Sequence, residues 1–187
     1  ADRIGGTLFF DADADGDLDI YALSNVGLSI SGFSEKTVAE PKAIFQDKIY
    51  FNDGVGNFTL SNAGLPEMPN AALFTIAGDY DADGDLDLFV SGYQATRHYP
   101  ESPRSYLLEN KKGKFKDVTE KVAPGLAEAG LISTALFTDY DNDGDLDILI
   151  TGSYNNGSWQ KATEVYRNEG NNIFVTAVTT DTLAGVN

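Results

Sequence analysis

The sequence predicts an all-β chain made of three copies of a four-stranded antiparallel unit, on the strength of three observations. A nine-residue acidic stretch occurs three times, as DADADGDLD at 11–19, DYDADGDLD at 79–87 and DYDNDGDLD at 139–147. Each copy runs straight into an apolar segment (IYA, LFV or ILI). Further on, an aromatic or Leu-rich segment meets Asn and Gly and then Phe, in KIYFNDGVGNFTL at 48–60, SYLLENKKGKFKDV at 105–118 and EVYRNEGNNIFVTA at 164–177. The central aspartates Asp15, Asp83 and Asp143 stand 68 and then 60 residues apart. A recurrence of this kind marks a repeat architecture.

Taken in order, each unit opens on a short strand: GGTLFF at 5–10, AALFTIAG at 71–78 and TALFT at 134–138. The acidic stretch then turns the chain into a second strand. In LDLFV and LDILI that strand is nearly continuously apolar, as expected where both faces are covered. After a variable polar loop come a third strand, a tight turn and a fourth. Asn and Gly tolerate positive φ, so Asn-x-x-Gly and Asn-x-Gly with Phe58, Phe115 or Phe174 beyond them read as hairpin chemistry. The units span 5–60, 71–118 and 134–177. The tail at 178–187 leads toward a further unit, since TLAGVN at 182–187 matches the connectors SNAGLP at 61–66 and VAPGLA at 122–127. Helix periodicity is weak. EKVAPGLAEAG at 120–130 is the one candidate, Pro124 and Gly125 interrupt it, and little or no helix is expected. Four-stranded antiparallel units at a regular period predict β-propeller blades. Three blades do not close a ring, so residues 1–187 are expected to form one segment of a larger propeller of seven or eight blades, whose remaining blades would be its partners.

Composition narrows the function. The chain has 187 residues, 42% hydrophobic and 11% aromatic, enough to bury a core. Its formal net charge is −16, yet the three loops hold 15 of the 29 acidic residues, and the remainder carries 14 acidic against 13 basic. No basic stripe exists to neutralise phosphates, so nucleic acid is excluded as a partner. The chain has no Cys, hence neither a disulfide framework nor a thiolate metal site. No apolar stretch approaches the ~20 residues of a membrane-spanning helix.

Five carboxylates in one short loop repel each other, and the sequence places little Lys or Arg beside them. A hard divalent cation resolves the conflict. Calcium takes six to eight oxygens, and carboxylates at alternate positions around a turn Gly supply them. The loops therefore read as three Ca²⁺ sites. An EF-hand begins similarly but needs a bidentate Glu at position twelve, where this chain has Ala22, Val90 and Ile150. A thrombospondin-type acidic repeat would be rich in Cys. A merely solvated Asp turn does not account for three copies in one frame.

The pattern D-x-D-x-D-G-x-x-D-hydrophobic with its downstream Asn/Gly/Phe hairpin resembles the FG-GAP and VCBS repeats. These are calcium-bearing blades of integrin-α-like propellers and of exported bacterial surface proteins. The resemblance covers residues 5–177. It implies that the metal loop joins the first two strands of each blade. It also implies side-chain ligands at positions one, three, five and nine: Asp11, Asp13, Asp15 and Asp19; Asp79, Asp81, Asp83 and Asp87; Asp139, Asp141, Asp143 and Asp147. Position seven (Asp17, Asp85, Asp145) would give main-chain oxygens. No Gly-Ala-Pro follows the strand, which reads VSGY or ITGS, so the resemblance is to the bacterial VCBS-like branch.

Outside the loops catalytic constellations are scarce, and no catalytic residue is assigned. His98 is the sole histidine. A triad with Ser91, Ser102 or Ser105 has no nucleophile-elbow motif to support it. Paired carboxylates for glycoside hydrolysis find no pattern among the scattered glutamates. Function is expected on the variable loops between second and third strands, at 24–47, 92–105 and 152–163. There Tyr93, Arg97, His98, Tyr99, Tyr154 and Trp159 suit a glycan or peptide, flat rings covering apolar faces. The expectation is a calcium-stabilised binding or scaffolding module of an exported, extracellular or cell-surface bacterial protein, its ligand a glycan or a surface protein. The alternative is a non-catalytic or partial propeller of a polysaccharide lyase or hydrolase.

Overall fold

Each acidic stretch folds as the link of an antiparallel hairpin with the same closing pair. The computed structural model describes residues 4–24, 46–61, 64–68, 71–94, 103–155, 158–170 and 172–180. Among them, twelve strands form three four-stranded antiparallel sheets. The first sheet contains β1 (Ile4–Phe10), β2 (Asp19–Ser24), β3 (Lys48–Asn52) and β4 (Phe58–Ser61). The second contains β5 (Ala71–Gly78), β6 (Asp87–Gln94), β7 (Tyr106–Asn110) and β8 (Phe115–Asp117). The third contains β9 (Thr134–Thr138), β10 (Asp147–Asn155), β11 (Ser158–Asn168) and β12 (Phe174–Thr180). Strands are ordered 1-2-3-4 in every sheet, and no strand is shared between sheets.

Register repeats as closely as order does. The residue before each loop pairs with the loop's ninth residue: Phe10 with Asp19, Gly78 with Asp87, Thr138 with Asp147. The second hairpin of each sheet closes on Asn52 with Phe58, Asn110 with Phe115 and Asn168 with Phe174.

Successive strand residues point to opposite faces, and the middle sheet uses both. Leu88, Val90, Tyr106 and Leu108 cluster with Phe10, Tyr21, Leu23 and Ile49 of the first sheet. Phe89 and Leu107 cluster with Ile148, Ile150 and Tyr166 of the third. An aromatic pair seals each junction: the Phe115 ring meets Phe10 edge-on at 6.2 Å, and Phe174 lies 5.5 Å from Tyr80. Those contacts join the start of an acidic loop to the fourth strand of the following sheet.

The described residues hold little helix, as expected, and what there is falls in the one candidate segment; the expectation for one variable loop is corrected. The connector at 119–127 is helical, as one-turn helices α1 (Thr119–Val122) and α2 (Pro124–Ala127). Burial of Val122, Ala123 and Leu126 between the second and third sheets outweighs weak propensity. Pro124 sits in the first turn of α2, where its missing N–H costs nothing. Residues 152–163 are not an open loop. They lie mostly in β10 and β11, which pair as far as Asn155 with Ser158. Tyr93 likewise belongs to a strand, β6, rather than to a loop.

Candidate metal centre

The three acidic loops share one backbone path. Position four is left-handed although none of its residues is Gly (Ala14 φ 62°, Ala82 φ 56°, Asn142 φ 61°). Position six is more open still, at φ 95°, 94° and 98° for Gly16, Gly84 and Gly144, which accounts for Gly there in all three copies. Side chains set this path. The position-one carboxylate accepts from the backbone N–H groups of positions five and six, 3.1 and 3.0 Å for Asp11 and 3.0 and 3.0 Å for Asp79. Asp139 does the same at 3.1 and 3.2 Å. Position five then accepts from position seven at 2.9–3.0 Å. The latter bonds form Asx turns, and in both sets an aspartate caps its own loop.

The ninth residue ties the loop to the sheet. Asp19, Asp87 and Asp147 are fully buried. One oxygen of each accepts from the position-two N–H (Ala12 2.8 Å, Tyr80 3.2 Å, Tyr140 2.8 Å). The other accepts from the backbone of Asn52, Asn110 or Asn168 at 2.8 Å. A carboxylate oxygen has lone pairs to spare, so this clamp leaves room for coordination.

Among the described residues, three groups of carboxylates place one oxygen each within 4.8 Å of one another: Asp11, Asp13 and Asp15; Asp79, Asp81 and Asp87; Asp139, Asp141 and Asp147. Each group could hold a metal ion. Asp19, Asp83 and Asp143 fall outside these groups, and the fifth and ninth positions exchange places between the first loop and the other two. Asp17, Asp85 and Asp145 turn toward the second hairpin of their own sheet. A Cβ on Gly54 would run into the Asp17 carboxylate, Lys112 N–H donates to Asp85 at 3.3 Å, and Asp145 lies 3.1 Å from where a Gly170 Cβ would stand. Position-seven side chains thus point away from the cluster.

Electrostatics show the strain of packing these acids together. Partial desolvation and then neighbouring carboxylates raise the position-three residues Asp13, Asp81 and Asp141 above the ordinary carboxylate range. Burial, with Asp81 and Asp83 adding to it, pushes Asp87 up to about 7 against the N–H groups that stabilise its charge. In the first loop Asp13 Oδ1 is buried and has no hydrogen-bond partner among the described residues. A buried carboxylate oxygen without a donor is costly, and a cation is the group that fits it. Folding nevertheless brings one basic residue to each of two loops, too few to neutralise them. Lys111 pairs with Asp83 and stands 3.7 Å from Asp81; Arg167 pairs with Glu169 and stands 3.8 Å from Asp141. Both come from third strands or the hairpins beyond them, so tertiary folding delivers them. Each sets one positive charge against five acids.

Sequence reasoning missed one set of residues. Asn110 donates from Nδ2 to Ala12 O (2.8 Å) and Leu86 O (3.0 Å), and Asn168 donates to Tyr80 O (2.9 Å). Each amide stitches its sheet to the metal loop of the sheet before it. The signal was present as an Asn at the end of every third strand, but it read as a turn residue.

Ser91 and Ser105 are buried and bonded to main chain: Ser91 Oγ to Phe74 N–H and C=O, both 3.1 Å, and Ser105 Oγ to Gly92 N–H, 3.1 Å. Ser91 bridges the irregular register between Ala72 and Thr75 in the β5–β6 pair, and Ser105 holds β6 near its end. Tyr154 and Trp159 stand opposite each other in register on the β10–β11 hairpin. Arg97, His98, Tyr99 and Ser102 lie outside the described residues. No described helix is long and apolar enough to cross a membrane. No family model matches the chain, and among curated proteins none shows significant similarity to it.

Proposed function

We propose that the chain is a calcium-stabilised β-propeller segment of the VCBS-like type, with three Ca²⁺ sites, acting as a binding or scaffolding module. The observation that carries this reading is the threefold recurrence of one loop: the same Asx turns, the same left-handed positions and a carboxylate cluster in each copy. The propeller and the family rest on the repeat pattern and on three like sheets joined face to face, not on a match to known proteins. Asp11, Asp13 and Asp15 in the first loop, Asp79, Asp81 and Asp87 in the second and Asp139, Asp141 and Asp147 in the third would hold the ions. Calcium, when bound, supplies the positive charge that lets all of them stay ionised. Each loop joins the first two strands of a sheet, so the ion acts on stability by pinning that hairpin.

Without a bidentate Glu, affinity is expected on the order of 10⁻⁶–10⁻³ M, suited to the calcium-rich exterior of a cell. An exported or cell-surface location follows from that match. The ligand is a glycan or a surface protein, taken up at the strand and loop ends that carry Tyr93, Tyr154 and Trp159 in the second and third units and by the segment with Arg97, His98 and Tyr99.

Thermal melting in calcium and in excess chelator tests the reading. A ligand at a hundredfold excess over Kd contributes about 2.7 kcal/mol per site. For three sites in a domain of this size, chelation lowers Tm by about 10–30 °C, reversibly on adding calcium back. Superimposable melting curves would contradict it.

A further inference from the structure

A single run of hydrogen bonds joins the three acidic loops. Ala12 sits between Asp11 and Asp13, two members of the first carboxylate cluster. Its carbonyl accepts from Asn110 Nδ2 of the second sheet at 2.8 Å. The backbone N–H of the same Asn110 donates at 2.8 Å to Asp87, which belongs to the second cluster. Asp87 in turn accepts from Tyr80 N–H at 3.2 Å. Tyr80 lies between Asp79 and Asp81, and its carbonyl accepts from Asn168 Nδ2 at 2.9 Å. Asn168 N–H then donates at 2.8 Å to Asp147 of the third cluster. Each asparagine thus grips the loop of the preceding sheet with its side chain and the ninth carboxylate of its own loop with its backbone. Both amides are held in place, Asn110 Oδ1 by Gly113 N–H at 2.9 Å and Asn168 Oδ1 by Gly170 N–H at 3.3 Å. These links between loops are buried, where hydrogen bonds in series strengthen one another. The second sheet's hairpin also reaches the first loop directly, since a Cβ on Gly113 would stand 3.2 Å from Asp13 Cβ.

From this we infer that neighbouring metal loops are coupled, Asn110 and Asn168 being positioning residues through which an ion at one loop raises the affinity of the next. The inference rests on the reading of the loops as metal sites. Docking of each asparagine on the loop before it is the two-state element that both sites bias. An ion held by Asp11 and Asp13 fixes the Ala12 carbonyl between them and so favours the docked Asn110. The docked Asn110 aims its N–H at Asp87 and holds that carboxylate ready for the second ion. Tyr80, Asn168 and Asp147 repeat the arrangement one sheet further on. Coupling of this kind is reciprocal, so an ion at the second loop strengthens the first by the same factor. Among the described residues no asparagine joins the first loop to the third, and those two are linked only through the second.

Calcium titrations followed by native mass spectrometry test it, on chains that keep two loops each, in about 0.15 M ammonium acetate to screen repulsion between the ions. Asp141→Asn keeps the first and second loops, Asp13→Asn the second and third, and Asp81→Asn the first and third. Sites that fill independently leave half or more of the chains with a single ion at half-saturation, whatever their separate affinities. Coupling of about tenfold lowers that share to about a quarter to a third in Asp141→Asn and in Asp13→Asn. Asp81→Asn stays at half or above. Adding Asn110→Ala to Asp141→Asn restores the independent share, whereas adding Asn168→Ala to it does not. A general loss of stability would not tell the two asparagines apart. If Asn110→Ala fails to fold, Asn168→Ala in the Asp13→Asn chain makes the same test at the other junction, and the comparison of the three loop pairs needs neither. Two ions that bind independently in all three chains, or coupling that survives loss of the bridging asparagine, would overturn this inference and leave the metal reading standing. Chains that bind no calcium would overturn that reading and this inference with it.

Discussion

The first and second repeats carry almost the same acidic loop, DADADGDLD against DYDADGDLD, yet the loops sit in different electrostatic settings. In the first, Asp13 Oδ1 is buried without a donor among the described residues. In the second, Lys111 reaches in from the following hairpin to Asp81 and Asp83. The residue that matches Lys111 in the first repeat is Asp53, which caps its own hairpin by accepting from Val55 and Asn57. A similar contrast holds beneath the sheet. The end of β2 is secured by a buried carboxylate, Asp47, which accepts from Ser24 N–H at 2.7 Å and from Tyr21 OH at 2.8 Å. The end of β6 is secured by the neutral Ser105. Loop sequence therefore sets the backbone path, while the surrounding hairpins set how much charge each site must carry.

The largest expected effect separates the two hairpin asparagines. Asn110→Ala strips donors from the buried Ala12 carbonyl and the partly buried Leu86 carbonyl and leaves Gly113 N–H unmet, costing about 2–4 kcal/mol. Asn52→Ala, whose contacts to Leu18, Gly54 and Gly56 are exposed to water, costs about 1 kcal/mol. Denaturant melts of the two variants measure the difference; equal costs would remove the distinction between inner and outer faces.

Asp47 comes next. Burial pushes its carboxyl up to about 7 in spite of the Ser24 and Tyr21 hydrogen bonds. The folded state therefore holds this proton more tightly than the unfolded chain does. Stability is highest below pH ~4 and falls as pH rises through about 7, by at most ~1.4 kcal/mol per pH unit. Asp47→Asn keeps an acceptor for Ser24 and removes the titration. In saturating calcium, which holds the loop carboxylates ionised, the variant has a flatter stability profile between pH 4 and 7. It is also more stable than the wild type by about 1–3 kcal/mol at pH 8. A wild-type profile that rises across that interval would contradict the assignment.

Lys111→Met yields a smaller change. Lys111 is more than half exposed, so solvent screens its effect. Its removal strengthens divalent binding at the second loop by about three- to tenfold and leaves the first loop unchanged. Arg167→Met acts the same way at the third loop but more weakly, since Glu169 already engages that guanidinium. Titration calorimetry on the two variants ranks them.

The parts of the fold visible in the sequence are those written locally. Alternate aspartates, a Gly at the sixth position and Asn/Gly before Phe each impose a turn, and repetition makes the pattern unmistakable. The β10–β11 hairpin was readable by the same chemistry, from the Asn-Gly pair at 156–157, but its polar composition suggested a loop. What the sequence could not show depends on neighbours distant along the chain. Lys111 beside Asp83, Asn168 on the Tyr80 carbonyl and the burial of Leu126 arise only when sheets pack. The choice of Asp15 in the first cluster but Asp87 and Asp147 in the others is also of this kind. No local rule distinguishes the fifth carboxylate from the ninth.

Counting bound calcium by native mass spectrometry is the most direct test of the claim that the repeated loops are metal sites. The account predicts three ions per wild-type chain at millimolar calcium, and two in each of Asp13→Asn, Asp81→Asn and Asp141→Asn. A wild-type chain that binds none, or single variants that keep all three, would contradict it.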